Sequence, residues 1–323
     1  MKRIAVLTSG GDAPGMNAAL RAIVRSGVYR GFEIYGVRDG YTGLMAGELA
    51  RLGPREVGGI IGRAGTFLGT TRCEELRTDS GQATAIQQLR AHGISELIVI
   101  GGNGSQAGAR ALARRGARVL GVASTIDNDL PGIDVTLGST TALEVALEAI
   151  DRLRETASSH KRAFLVEVMG RNCGYLALMA GIAGGAEAIV VPEVPHTPEA
   201  IADEIRSAYG LGKSHAIVVV AEGAEHNAAS LSRYFDEHAQ RLGFELRVTK
   251  LGHTQRGGAP CVVDRMIATQ LGAAAVEHLE AGRHGLLLGM VNGQISAIDL
   301  ALLNESRKPL DTGLVSLARV LAR

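Results

Sequence analysis

Two carboxylates stand two residues apart in Thr125-Ile126-Asp127-Asn128-Asp129. That spacing suits a division of labour in which one accepts a proton and the other holds a metal ion. Phosphoryl transfer needs both, because a base must orient an attacking hydroxyl while a cation neutralises charge on the phosphates. The plainer alternative is an Asx-rich turn at a strand end. Two glycine-rich segments, Ser9-Gly10-Gly11-Asp12-Ala13-Pro14-Gly15-Met16-Asn17 and Gly101-Gly102-Asn103-Gly104-Ser105, offer backbone amides that a phosphate could approach closely. Each alone is equally compatible with a tight strand-to-helix turn. The cationic candidates are Arg72, Arg77, Arg162, Arg171 in Met169-Gly170-Arg171, Arg247, and the His253 to Gly258 segment with Arg256. Guanidinium forks suit bidentate phosphate contacts, although an isolated arginine is ordinarily a solvated charge and a lone histidine such as His253 ordinarily structural.

These groups need elements to hold them, and the chain supplies short aliphatic runs alternating with helical patterns. The runs are 4–7, 97–100, 119–122, 164–168, 188–191 and 216–220; helices are expected over 17–28, 105–115, 140–156, 176–182, 198–209 and 259–279. Uninterrupted aliphatic runs read as buried parallel strands, and strand-helix repeats imply doubly wound α/β sheets. In such sheets ligands bind beyond the carboxyl ends of strands, where the glycine segments and the paired carboxylates fall.

Composition narrows the function class. The 323 residues point to two domains, and 43 glycines with 3% aromatics and no Trp fit aliphatic strands joined by tight turns. Lys and Arg number 34 against 33 acids, so no global field draws nucleic acid or an anionic membrane. Cys73, Cys173 and Cys261 are far apart, which indicates neither a disulfide framework nor a zinc site and fits a reducing cytoplasm. The longest apolar stretch, 176–191, is broken by Gly181, Gly184, Gly185 and Glu187, so no membrane span is expected.

Taken together, LTSGGDAPGMNAALRAIVR at 7–25, GRAGTFLGTTR at 62–72, TIDNDLPGID at 125–134, EAIDRLRETASSH at 148–160, EVMGR at 167–171 and LGHTQRGG at 251–258 resemble the bacterial type of 6-phosphofructokinase over nearly the whole chain. The resemblance implies two doubly wound α/β/α domains with mainly parallel sheets and the active site in the cleft between them. The larger, nucleotide-binding domain would comprise 1–138 plus 255–305, and the smaller, sugar-phosphate-binding domain 139–254 plus 306–323. It implies transfer of the ATP γ-phosphate to the 1-hydroxyl of fructose 6-phosphate, with Asp127 as base and Thr125 and Asp129 in the same turn. Arg72, Arg171 and the Gly11 amide match the groups that stabilise the phosphoryl in transfer. Gly11, Tyr41, Arg72, Cys73, Gly102, Asn103, Gly104, Ser105 and Gly108 match positions around ATP. Arg162, Arg247, His253 and Arg256 match the sugar-phosphate pocket, with Met169, Gly170, Arg171 and Glu222 around the sugar; in the family Arg162 and Arg247 come from a neighbouring subunit, which implies a homotetramer. Arg21, Arg25, Arg154, Glu187 and Lys213 match an effector site for ADP or phosphoenolpyruvate, with Leu211 where the family is often basic. Pyrophosphate-dependent relatives carry Asp where this chain has Gly104 and Lys where it has Ser124, so ATP is the expected donor.

One departure bears on mechanism. The family's second glycine loop reads GGDGS or GGDGT, and its Asp is a ligand of the ATP-bound magnesium; here the residue is Asn103. With Asp129, Asn103 would still form the metal shell, but with one negative charge fewer for a hard cation. A working kinase with altered metal handling is the expectation. The alternative is a catalytically weak paralogue with a binding or regulatory role. A kinase for another sugar phosphate, a lipid or a nicotinamide nucleotide would share the glycine loop but leave EVMGR and LGHTQRGG unexplained.

Overall fold

The computed structural model describes residues 1–160, 162–303 and 307–322. Among the described residues eleven strands run in chain order: β1 Arg3–Ser9, β2 Glu33–Val37, β3 Leu49–Leu52, β4 Glu96–Gly101, β5 Val119–Ala123, β6 Ala163–Val168, β7 Ala188–Val190, β8 Ala216–Ala221, β9 Leu246–Lys250, β10 Leu286–Val291 and β11 Gln294–Asp299. They form two sheets in two compact units. The larger unit is Met1–Thr141 with Arg256–Lys308, and the smaller is Ala142–Gln255 with Pro309–Arg323.

In the larger unit the sheet order is β11-β10-β5-β4-β1-β2-β3. The five inner strands are parallel, while β3 and β11 pair antiparallel at the two edges. The centre is apolar on both faces, as a parallel sheet covered by helices requires: Ile4 to Leu7, Leu97 to Ile100 and Val119 to Val122 are fully buried. The segment after Arg256 returns through the helix Val262–Glu280, which lies against the helix Met16–Tyr29. At their closest approach a Cβ on Gly272 would sit 2.6 Å from the Ala19 carbonyl oxygen, so only glycine fits there. This helix starts three residues later than its sequence pattern suggests. Pro260 biases its predecessor to extended backbone, and Cys261, with ψ 170°, serves as N-cap.

The smaller unit holds four parallel strands in the order β7-β8-β6-β9. Its core joins Leu165, Val218 and Val220 of the sheet to Ile201, Leu231 and Phe235 of the flanking helices Pro198–Gly210 and Ala228–Glu237. The long helix Ser139–His160 begins within the larger unit. Fully buried Asp264 explains why residues 139–141 stay there. Its carboxylate accepts from the Gly138 and Thr141 amides, both at 2.8 Å, and from the Thr141 hydroxyl, so it caps the helix start. The sequence-based division at 138/139 therefore falls three residues early against the compact unit. The expected division at 305/306 lies outside the described residues.

Candidate active site

Strand order in the larger unit reverses direction between β1 and β4, the position at which an open α/β sheet leaves a crevice at its carboxyl edge. Three loops meet there: Gly10-Gly11 after β1, Gly102 to Ser105 after β4, and Ser124 to Asp129 after β5. They line a cavity of about 840 Å³.

Hydrogen bonds hold each of these loops in place. The Ser124 amide donates to the Gly101 carbonyl at 3.1 Å. Buried Gln106 donates through Nε2 to the carbonyls of Val99, Gly101 and Val122, stapling the ends of β4 and β5. Buried Tyr41 donates its hydroxyl to the Ser105 carbonyl at 2.7 Å, and burial pushes its phenol far above the usual range. Thr70 donates to the Gly10 carbonyl at 2.7 Å and Thr8 to the Gly69 carbonyl at 2.8 Å, which ties the loop bearing Arg72 to the end of β1. The helix Asn103–Arg114 starts two residues before its sequence pattern, so Asn103 opens it and Gly102 caps it. Its amide dipoles face the cavity, where an anion is favoured.

The paired carboxylates sit on a turn of defined shape. Asn128 adopts a left-handed backbone with φ 50°, which asparagine tolerates better than most residues. Its side chain accepts from the Thr136 amide at 2.9 Å and donates to the Asp134 carbonyl at 2.9 Å. The Asp127 amide donates to the Thr125 hydroxyl at 3.2 Å. Burial pushes the Asp129 carboxyl above the usual carboxylate range; Arg307, a backbone hydrogen bond and donation from the Asn103 side chain act in the other direction. Arg307 Nε lies 3.8 Å from Asp129 Oδ2.

Every expected nucleotide position, namely Gly11, Tyr41, Arg72, Cys73, Gly102, Asn103, Gly104, Ser105 and Gly108, lines this cavity, as do Thr125, Asp127 and Asp129. Arg256, grouped from the sequence with the sugar phosphate, lines it too: it donates to the Asp12 carbonyl, and its guanidinium lies 2.6 Å from where a Gly11 Cβ would be. Arg110 and Arg307 also line the cavity and were not singled out in the sequence. Arg110 follows from helical spacing, seven residues after Asn103. Arg307 carries no sequence signal, since only the return of a distant segment brings it to Asp129.

The remaining sugar-phosphate candidates belong to the smaller unit and divide between the two edges of its sheet. At the carboxyl edge Met169, Gly170 and Arg171 follow β6, Glu222 follows β8 and His253 follows β9. The Glu222 amide donates to the Val168 carbonyl at 2.9 Å, and the Gly223 amide to the Gly170 carbonyl at 3.2 Å. Fully buried Gln255 accepts from the Met169 amide at 2.7 Å. Arg162, by contrast, directly precedes β6, and Arg247 is the second residue of β9, paired with Phe164. These two arginines sit at the amino edge, roughly 15–20 Å along the strands at about 3.3 Å per residue.

Of the effector candidates, Arg21 and Arg25 lie on the helix Met16–Tyr29 of the larger unit, and Arg154, Glu187 and Lys213 on the smaller. Lys213 pairs with Glu187 at 3.1 Å, and Glu187 also accepts from the Ile217 amide at 2.7 Å. Arg154 Nε and Nη2 are buried and make no hydrogen bond among the described residues.

A protein-family model described as phosphofructokinase matches residues 3–279. The ATP-dependent 6-phosphofructokinase 1 of Thermus thermophilus is 51% identical over the full length of both chains. The ATP-dependent 6-phosphofructokinase of Halalkalibacterium halodurans is 47% identical, again over both full lengths. Among solved structures, a Pichia pastoris phosphofructokinase superposes with a TM-score of 0.87 at 37% identity, covering 93% of this chain and 35% of its own. With a glycine-lined cavity at the switch point of one sheet and these matches along its length, the chain belongs to the phosphofructokinase family.

Proposed function

We infer that this protein is an ATP-dependent 6-phosphofructokinase of glycolysis, transferring the γ-phosphate of ATP to the 1-hydroxyl of fructose 6-phosphate. The observation that carries this reading is the convergence of two glycine loops and the Asp127–Asp129 turn on one arginine-lined cavity. Asp127 accepts the proton of the sugar 1-hydroxyl as its oxygen bonds to the γ-phosphorus; the bond from phosphorus to the β,γ-bridging oxygen breaks and ADP leaves. Arg72, Arg171 and the Gly11 amide hold the charge that builds on the phosphoryl oxygens. Beyond its chain neighbours and the backbone of its own helix, no atom of the described residues stands within 4 Å of a Cβ placed on Gly104, so that space is left to the donor, which favours ATP over pyrophosphate.

The residues fit a magnesium ion brought in with ATP. Among the described residues no cluster of three or more His, Cys, Asp or Glu side chains could hold a metal unaided. A nucleotide-borne magnesium, however, needs only one or two carboxylates beside the phosphates. Asp129 and the side-chain carbonyl of Asn103 would hold it, and it would supply charge neutralisation of the phosphates.

The sugar phosphate is assigned to Met169, Gly170, Glu222 and His253, with Arg162 and Arg247 supplied by a second copy. Two arginines at the far edge of the sheet that carries the other sugar groups cannot serve the same small ligand within one chain. A homotetramer in the cytoplasm is the assembly proposed. Arg154, with two buried nitrogens lacking hydrogen bonds, supports an anionic effector such as ADP or phosphoenolpyruvate beside Glu187 and Lys213. No helix among the described residues is long and apolar enough to cross a membrane.

A coupled assay for fructose 1,6-bisphosphate across a magnesium titration, run beside Asn103→Asp, tests the reading. Turnover by the wild type, with Asn103→Asp chiefly lowering the magnesium requirement, is the expected outcome. Absence of turnover at every magnesium or manganese level would sink it, and turnover with pyrophosphate but not ATP would reverse the donor assignment.

A further inference from the structure

Arg307 is built into the donor cavity by its own backbone. The next residue, Lys308, donates its amide to the Asp129 carbonyl at 3.0 Å and its Nζ to the Asp134 carbonyl at 2.9 Å, so the returning segment is laced along the loop that follows the Asp127–Asp129 turn. This brings the guanidinium to 3.8 Å from the Asp129 carboxylate. That separation is an ion pair but lies beyond the 2.7–3.2 Å range of a good N–H···O hydrogen bond. The Asn103 side chain, which lines the same cavity, favours the charged form of the Asp129 carboxyl, as Arg307 does. The carboxylate thus shares its cavity with a neutral amide and a nearby cation, where Asp at position 103 would add a second negative charge.

The same cavity carries Arg72, Arg77, Arg110 and Arg256, against the inward acids Asp127 and Asp129 and the exposed Glu74. With Asn at position 103 the shell offers a divalent ion one charge fewer, and Arg307 adds a fixed positive charge at the same carboxylate. We propose that Arg307 is a phosphate-contacting residue of the donor cavity, its guanidinium exchanging Asp129 for the polyphosphate of the nucleotide and supplying part of the neutralisation ordinarily left to the metal. The proposal rests on the assignment of this cavity to ATP. Its ligand class is a nucleoside triphosphate or another short polyphosphate chain, and its signature is appreciable binding without a divalent ion.

Calorimetric titration of the full-length protein with ATP, once in EDTA and once with saturating magnesium, tests it independently of turnover. Arg307→Gln, and Arg307→Met as a second variant that keeps the apolar stem, should weaken metal-free ATP about tenfold, equivalent to ~1.4 kcal/mol. Magnesium-bound ATP should weaken less than about threefold, because the ion then carries the neutralisation. Arg307→Lys should recover part of the metal-free affinity. The proposal is overturned if both neutral variants bind metal-free ATP within about twofold of wild type, or if their loss is larger with magnesium than without. A wild type that binds ATP under neither condition would instead overturn the assignment of the cavity to ATP.

Discussion

The carboxyl edges of the two sheets are built to different degrees of completeness. In the larger unit the loops after β4 and β5 are bonded to each other through Ser124 and Gln106, Tyr41 fastens the loop after β4 and Thr70 the loop after β1, and every nucleotide candidate lines one cavity. In the smaller unit the ends of β6, β8 and β9 are joined through Glu222, Gly223 and Gln255, but Arg162 and Arg247 stand at the other end of the same strands. Preorganisation of donors where charge develops is what catalysis draws on most, and the larger unit has it within a single chain. On the proposed reading the smaller unit offers a half-site. The catalytic step is therefore expected to depend on the first edge, and affinity for the sugar phosphate on a second copy of the chain.

The largest effect that would break this comparison is at Asp127. Its carboxylate is the group on the turn proposed as base, so Asp127→Asn should lower kcat by about 10²–10⁴. The amide keeps the shape of the side chain, so ATP affinity measured by calorimetry should stay within about threefold of wild type. If kcat fell less than tenfold, the turn would be a structural feature and the base would have to be sought elsewhere. The second effect concerns the split edge. Arg162→Ser and Arg247→Ser should each raise KM for fructose 6-phosphate by roughly 10–100-fold, the value of a lost charge-assisted contact, with kcat changed far less. A mixed preparation of Arg162→Ser and His253→Ala chains should then regain low-KM sites, because some sites would combine an intact carboxyl edge from one chain with an intact arginine from another. No recovery on mixing would refute the shared site.

How far the sequence reveals these two edges follows from where each signal resides. The buried centre of both sheets is legible because a strand covered on both faces must be apolar at every position, as in Ile4-Ala5-Val6-Leu7 and Ala216 to Val220. The edge strands escape that reading. β11 alternates exposed and half-buried residues, and β3 buries only Leu52. The β10–β11 hairpin carries a local signal: Asn292-Gly293, with φ of 50° and 73°, is the two-residue turn that such hairpins favour. The glycine loops and the Asp127–Asp129 turn are legible because their chemistry lies in contiguous residues. Arg307 and Asp264 are not, because each acts across more than 120 residues on a partner that only the returning segment approaches.

The smallest expected effect sharpens the comparison through two carboxylates shifted in opposite directions. Burial raises Asp129 of the larger unit, whereas Glu199 of the smaller unit is held well below the usual carboxylate range. Arg241 is the first cause, donating from both Nη atoms at 2.8 Å, and the Tyr234 hydroxyl and Arg206 add to it. A depressed folded pKa contributes stability that is present above the unfolded carboxylate value of about 4.3 and is lost as pH falls toward the folded value. A raised one contributes below the unfolded value and is lost as pH rises, so acid acts on the two groups with opposite sign. The Glu199 side chain is partly open to solvent, so its share is small and screened by salt. Amide exchange between about pH 5 and about pH 3 should show protection fading first in the helices Pro198–Gly210 and Ala228–Glu237, which carry Glu199, Arg206 and Tyr234. Glu199→Gln should flatten that pH dependence, leaving the helix Met16–Tyr29 of the larger unit unaffected, and about 1 M salt should narrow the difference between the two proteins. Equal fading in wild type and Glu199→Gln would show that this cluster decorates the smaller unit without stabilising it.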